Sequence, residues 1–162
     1  MTTRPSPLEA ADCVDITQCL QRYGQAFDDR AFDVLDTVFT PDAQIHYDIE
    51  GRAWSLRMDE LKASARELFE RFWWTQHMFS VPVIELAGDE ARAVCRLIAT
   101  HVQVTLEGER STWVLHGTYR DVLVRTGAGW RIRERHLHGV YSEGALLSRK
   151  RVQLFASAPA KS

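Results

Sequence analysis

Asp28, Tyr47, His77 and His101 are residues whose types could do acid–base chemistry together. An imidazole takes a proton, a carboxylate orients it and a phenol polarises an oxygen. Each also has an ordinary alternative. His77 alternates with Phe79, Val81 and Val83, and His101 with Cys95, Leu97 and Ala99, so both lie on apolar strand faces. An imidazole in such a place is more often a satisfied core residue than a working one. Asp28 closes an apolar helical stripe, where aspartate commonly forms a turn. Tyr47 falls on the inward face of a short strand, where it would simply pack.

Two further groupings bear on chemistry. His136-Leu137-His138 puts two imidazoles on one strand face, a spacing that a metal ion can use. No cysteine or carboxylate converges on them in the sequence, so no metal site is expected. His116 and His138 are expected instead as polar contacts lining a pocket. Arg131, Arg133 and Arg135 alternate with Ile132 and Glu134, which reads as the solvated face of a curved sheet and not as a nucleic-acid patch.

The elements that must hold these residues follow from periodicity. Ser6-Pro7-Leu8-Glu9 has the form of a capping box. Cys13, Ile16, Leu20, Tyr23 and Phe27 then recur at spacings of three and four, one face of a helix that Asp28-Asp29-Arg30 interrupts. Phe32, Leu35, Val38 and Phe39 make a second, short helix that stops before Thr40-Pro41-Asp42. Residues 44–49 alternate as a strand with Ile45, Tyr47 and Ile49 on one face, and Leu61, Ala65, Leu68 and Phe72 mark a third helix. After Trp73-Trp74 the period becomes two, and four strands follow at about 76–86, 91–106, 111–125 and 129–141. Gly88-Asp89, Glu107-Gly108-Glu109 and Gly127-Ala128-Gly129 supply the turns. Helices first and a long antiparallel meander afterwards predict an α+β fold. Residues 1–6 read as a flexible leader, 7–156 as one domain and 157–162 as a flexible tail.

Composition narrows the function classes. The 162 residues suit one domain, and 45% hydrophobic with 26% charged is a globular balance. A net charge of −2 with both signs interspersed gives no footprint for nucleic acid or an anionic membrane. The apolar runs are too short to span a bilayer, and no signal peptide opens the chain. Cys13, Cys19 and Cys95 form no CxxC pair, which argues for a reduced, cytoplasmic setting and against structural zinc.

Four segments carry a resemblance: Tyr23-Gly24-Gln25-Ala26-Phe27-Asp28-Asp29, Phe39-Thr40-Pro41-Asp42-Ala43, Thr75-Gln76-His77 and Gly127-Ala128-Gly129-Trp130-Arg131-Ile132. In their order and spacing, from about Leu8 to Leu147, they resemble the SnoaL-like branch of the NTF2-like superfamily. Within it the chain is most similar to the group containing scytalone dehydratase, bile-acid 7α-dehydratase and hexachlorocyclohexane dehydrochlorinase. The resemblance implies a cone, with three N-terminal helices packed on a strongly curved, mostly antiparallel sheet. It also implies an Asp–His dyad on Asp28 and His77, with Tyr47 and His101 in the same pocket, the two holding an enolate. Phe27 departs from the tyrosine that precedes the dyad aspartate in scytalone dehydratase, which argues for a different substrate.

The function so implied is a cofactor-independent lyase of the dehydratase kind, taking a proton next to a carbonyl in a mid-sized apolar metabolite. The same scaffold hosts polyketide cyclases, ketone isomerases and non-catalytic binding or assembly subunits. Tyr23, Phe27, Trp54, Trp73, Phe79, His116 and His138 are expected to contact the substrate. Expected partners are a small molecule and a second or third copy of the chain, docked through the open sheet face, with no nucleic acid and no membrane.

Overall fold

The computed structural model describes residues 6–158, so most of the expected leader and tail lies outside the described residues. Helix α1 spans Pro7–Asp28 and starts at the expected capping box: Ser6 Oγ accepts from the Glu9 amide at 3.3 Å and the Ser6 amide donates to Glu9 Oε2 at 2.7 Å. Its buried stripe contains Ile16, Leu20, Tyr23 and Phe27. A short 3-10 helix follows at Phe32–Thr37, then β1 (Phe39–Ile49), β2 (Arg52–Leu56) and α2 (Met58–Phe69). The rest is strand: β3 (Trp74–Phe79), β4 (Val83–Ala87), β5 (Glu90–Val104), β6 (Arg110–Thr126) and β7 (Gly129–Gly144), before a last 3-10 turn at Arg149–Arg151.

The seven strands form one mixed, curved sheet in the order β2-β1-β7-β6-β5-β3, with β4 also on β5. All pairs are antiparallel except β1 with β7, which joins the β1–β2 hairpin to the last strand in parallel. Helices α1 and α2 cover the inner face, and the core lies between them and the inward residues of β1, β5, β6 and β7. Among the described residues no helix is long and apolar enough to cross a membrane.

Three departures from the expected elements have local causes. The second helix stops at Thr37, and Phe39 is already strand, paired with Ile132. Strand β2 was not expected: Arg52–Leu56 shows no alternation, because it is an exposed edge strand. It is turned onto β1 by Glu50 and Gly51, both at positive φ (52° and 80°), the primed-turn geometry of a two-residue hairpin. The single strand expected over 76–86 is two, because Pro82 has no amide to give to a ladder. Val81 and Val83 are therefore 88% and 69% exposed instead of sharing an inward face with His77.

A bulge in β7 controls which side chains face inward. Opposite the β6 pair Val122 and Leu123, β7 supplies Glu134 and Ile132, leaving Arg133 as an extra residue. Trp130 and Ile132 face the core before the bulge, and Arg135 and Leu137 after it. One inserted residue reverses the parity of the strand.

Candidate active site

The C-terminal end of α1 carries the carboxylate to β3. Asp28 accepts two hydrogen bonds from His77, Oδ2 from the backbone amide at 2.9 Å and Oδ1 from ring Nδ1 at 2.7 Å. The two-point grip fixes both the ring and its tautomer, with the proton on Nδ1 and Nε2 left as the basic nitrogen. The His77 side chain is 6% exposed and that of Asp28 22%.

Two features hold α1 against β3 closely enough for this bond. A Cβ on Gly24 would lie 2.8 Å from the Phe79 ring and 3.2 Å from His77 Cβ, so only glycine permits the approach. Arg30, at φ 58°, folds back beneath the helix end: Nη1 donates to the Phe27 carbonyl and Thr75 Oγ1, both at 2.8 Å, and Nη2 to the Phe72 carbonyl at 3.1 Å. Burial lowers its pKa to about 10, against the opposing pull of Asp28 and Asp29. It remains charged and ties α1 to the start of β3. Nothing in the sequence spacing singled out Arg30.

His77 lies on the wall of a cavity of about 310 Å³, with Tyr23, Phe27, Tyr47, Trp54 and His101. Asp28 stands behind the ring and is not part of the wall. Trp113, Leu115 and Tyr119 add to the wall from β6, and Phe69 from α2. The β6 residues were not anticipated, although their period-two spacing on one strand face could have revealed them.

The other expected contacts lie elsewhere. Trp73 stacks under the Arg110 guanidinium at 4.4 Å, outside the cavity. Phe79 packs behind the wall, against Tyr23 and Tyr119. His116 is on the outer face of β6, 3.6 Å from Glu143, because the inward parity of that strand belongs to Leu115 and Tyr119. His138 is also outside, 3.4 Å from Asp48, turned out by the β7 bulge.

His101 is 4% exposed, and burial, aided by nearby His77, lowers its pKa to about 3. It is neutral, and Nδ1–H donates to the Trp113 carbonyl at 3.3 Å. Its Nε2 is therefore an acceptor. The expectation that His101 helps to hold an oxyanion is corrected to a weaker role: it can receive a ligand hydroxyl.

The donor side of the cavity is phenolic. Tyr119 donates to Tyr23 at 3.4 Å, and the Tyr23 and Tyr47 hydroxyls are 3.0 Å apart. Three hydroxyl protons with two bonds among them leave one proton for a ligand oxygen, at Tyr47 when the chain runs from Tyr119. Burial raises the pKa of Tyr47 and of Tyr119, so both stay protonated. Beneath them the Arg135 guanidinium lies 4.1 Å from the centroids of both Tyr23 and Tyr119. It is held by a buried two-point ion pair with Asp121, at 2.7 and 2.8 Å. Arg135 is thus no part of a solvated face but the 1% exposed base of the tyrosine cluster.

Comparison with known proteins agrees with this architecture. The profile described as SnoaL-like domain matches residues 8–136. An uncharacterized protein of Mycobacterium tuberculosis is 36% identical over 131 residues, 80% of this chain and 86% of its own. A crystal structure from Kribbella flavida superposes with a TM-score of 0.75 at 26% identity, covering 83% of this chain and 95% of that one. A candidate scytalone dehydratase from Novosphingobium aromaticivorans gives 0.74 at 19% identity, covering 93% and 97%; at that identity the likeness speaks for the fold alone.

Proposed function

Because the chain belongs to the SnoaL-like family, we propose that it is a cofactor-independent lyase of the dehydratase kind, acting on a small, mostly apolar carbonyl compound. The observation that carries this reading is the two-point grip of Asp28 on His77 at the wall of the cavity. A packing histidine needs no oriented tautomer; a general base does. At about 310 Å³ the cavity sits at the lower end of ordinary ligand sites.

The roles follow from the donor and acceptor inventory. His77 Nε2 takes the proton from the carbon next to the carbonyl, and Asp28 stabilises the imidazolium that forms. The electron pair moves to the carbonyl oxygen, which receives the spare phenolic proton of Tyr47 as a hydrogen bond. The enolate then expels the β-hydroxyl, which leaves as water with the proton returned from His77. His101 Nε2 accepts from that hydroxyl in the ground state and so orients it. Reprotonation of the same enolate at another carbon is an isomerisation, and its attack on a second carbonyl a cyclisation.

Two probes test the base and the elimination separately. The α-hydrogens of 1-tetralone, which has no leaving group, should exchange in D2O faster with the protein than in buffer. The acceleration should vanish in His77→Gln. With 3-hydroxy-1-tetralone the expected product is 1-naphthol, formed by loss of one water. Exchange at the buffer rate, or exchange unchanged by His77→Gln, would overturn the base assignment; exchange without naphthol would turn the reading to isomerase or cyclase.

A further inference from the structure

We infer that the outer face of the sheet holds a divalent transition-metal site made by His46, Glu134 and His136, on the side of β1 and β7 opposite the helix-covered cavity. The β7 bulge that turns Arg135 inward turns Glu134 and His136 outward. The parallel pairing of β1 with β7 then sets His46 directly beside His136, and Gln44 beside Glu134. A carboxylate and a third imidazole therefore converge on the His136 position, which the sequence alone did not reveal.

The two rings stack, with centroids 4.5 Å apart and planes 20° from parallel. One carboxylate oxygen, Glu134 Oε1, lies 2.6 Å from His136 Nε2 and 4.0 Å from His46 Nε2. The three ligand atoms all lie within 4.8 Å of one another. Tetrahedral zinc with bonds of about 2.0–2.1 Å wants its ligand atoms roughly 3.3 Å apart. The two spacings straddle that value, so small rotations of half-exposed side chains suffice, with the proton that His136 Nε2 gives to Glu134 Oε1 released to solvent as the ion binds.

The orientation of His46 is a second, independent observation. Its Nδ1 is 2.7 Å from Ser55 Oγ on β2, and a proton on Nδ1 given to Ser55 leaves Nε2 for the ion. Two imidazoles with one carboxylate suit zinc, nickel or copper better than magnesium or calcium. Arg120, the register partner of His136, opposes the cation's charge, and Glu134 offsets it. Partial exposure of all three ligands leaves the fourth position to water.

The test is calorimetric titration of the full chain, free of any polyhistidine tag and treated with chelator, with zinc chloride. Saturable binding of one ion per chain is expected. Affinity should fall at least tenfold in each of His46→Ala, Glu134→Gln and His136→Ala, and about 10–100-fold in Ser55→Ala. His77→Gln and His116→Ala should bind as the parent does, and circular dichroism checks that each variant is folded. Absence of saturable binding overturns the inference. So does binding that survives His136→Ala, or that is lost with His77→Gln, which would move the ion to the dyad.

Discussion

Replacing His101 by glutamine removes an imidazole that burial keeps uncharged in the folded protein, with a pKa of about 3 against the usual 6.5. Between those values the unfolded chain binds a proton on this ring that the folded chain does not. Stability therefore rises with pH through that window and is lost as pH falls from 6.5 toward 3. The whole shift corresponds to at most about 5 kcal/mol, reached only below pH 3. From pH 7.5 to pH 5 the unfolded-state protonation alone costs about 2 kcal/mol. Urea unfolding of the parent and of His101→Gln at both pH values isolates the term, since the other titrating groups are common to the two proteins. The parent should lose about 2 kcal/mol more than the variant across the interval. Equal losses would mean that His101 titrates in the folded state, and its role as a neutral acceptor would have to be withdrawn.

Asp28→Asn and His77→Gln should each lower turnover by about 10²–10⁴, and the double variant should be little worse than the worse single one; multiplicative losses would mean two separate sites. Asp121→Asn strands the Arg135 guanidinium without its partner and should cost about 3–5 kcal/mol in urea unfolding, a cost of under about 1 kcal/mol refuting the buried pair. Across the outer face, Met78, Ile98, His116 and Tyr141 stand in one register row, and three of them are apolar and exposed. Light scattering should give a mass above the 18.5 kDa of one chain, reduced to that value by Ile98→Glu; a monomeric parent would remove the oligomer expectation.

Local signals read well. The α1 stripe and its cap were legible because both depend on residues within one or two helical turns. The long strands were legible because alternation survives burial on one face. Glu134, Arg135, His136 and His138 were not, and for one reason. The unbroken parity of Trp130 and Ile132 would put His138 inward and Arg135 outward, the arrangement that the sequence suggested. A bulge is a property of the paired strands, here β6 with β7, and its one mark in the β7 sequence is that the apolar parity of Trp130 and Ile132 gives way to that of Leu137. The break at Pro82, by contrast, is visible in the sequence, because a proline within an alternating run cannot donate to a central ladder. Asp28 and His77 are 49 positions apart, and no periodicity links them. Only the resemblance placed them together, and Gly24 and Arg30 are the residues that physically do so.

The missing side chain at Gly24 has a consequence for when the Asp28–His77 pair is assembled. Gly24 and Asp28 are one helical turn apart on the same ridge of α1, and both touch His77. The spacing of the imidazole and its carboxylate is thus set by how a helix rests on a strand, not by a loop that must close. The entropy of bringing the two groups together is lost once, when the chain folds, and not again at each encounter with a ligand. A side chain as small as alanine at position 24 would act as a shim: it would lift the ridge by tenths of an ångström while leaving every chemical group in place. The 2.7 Å contact between Asp28 Oδ1 and His77 Nδ1 would lengthen with it.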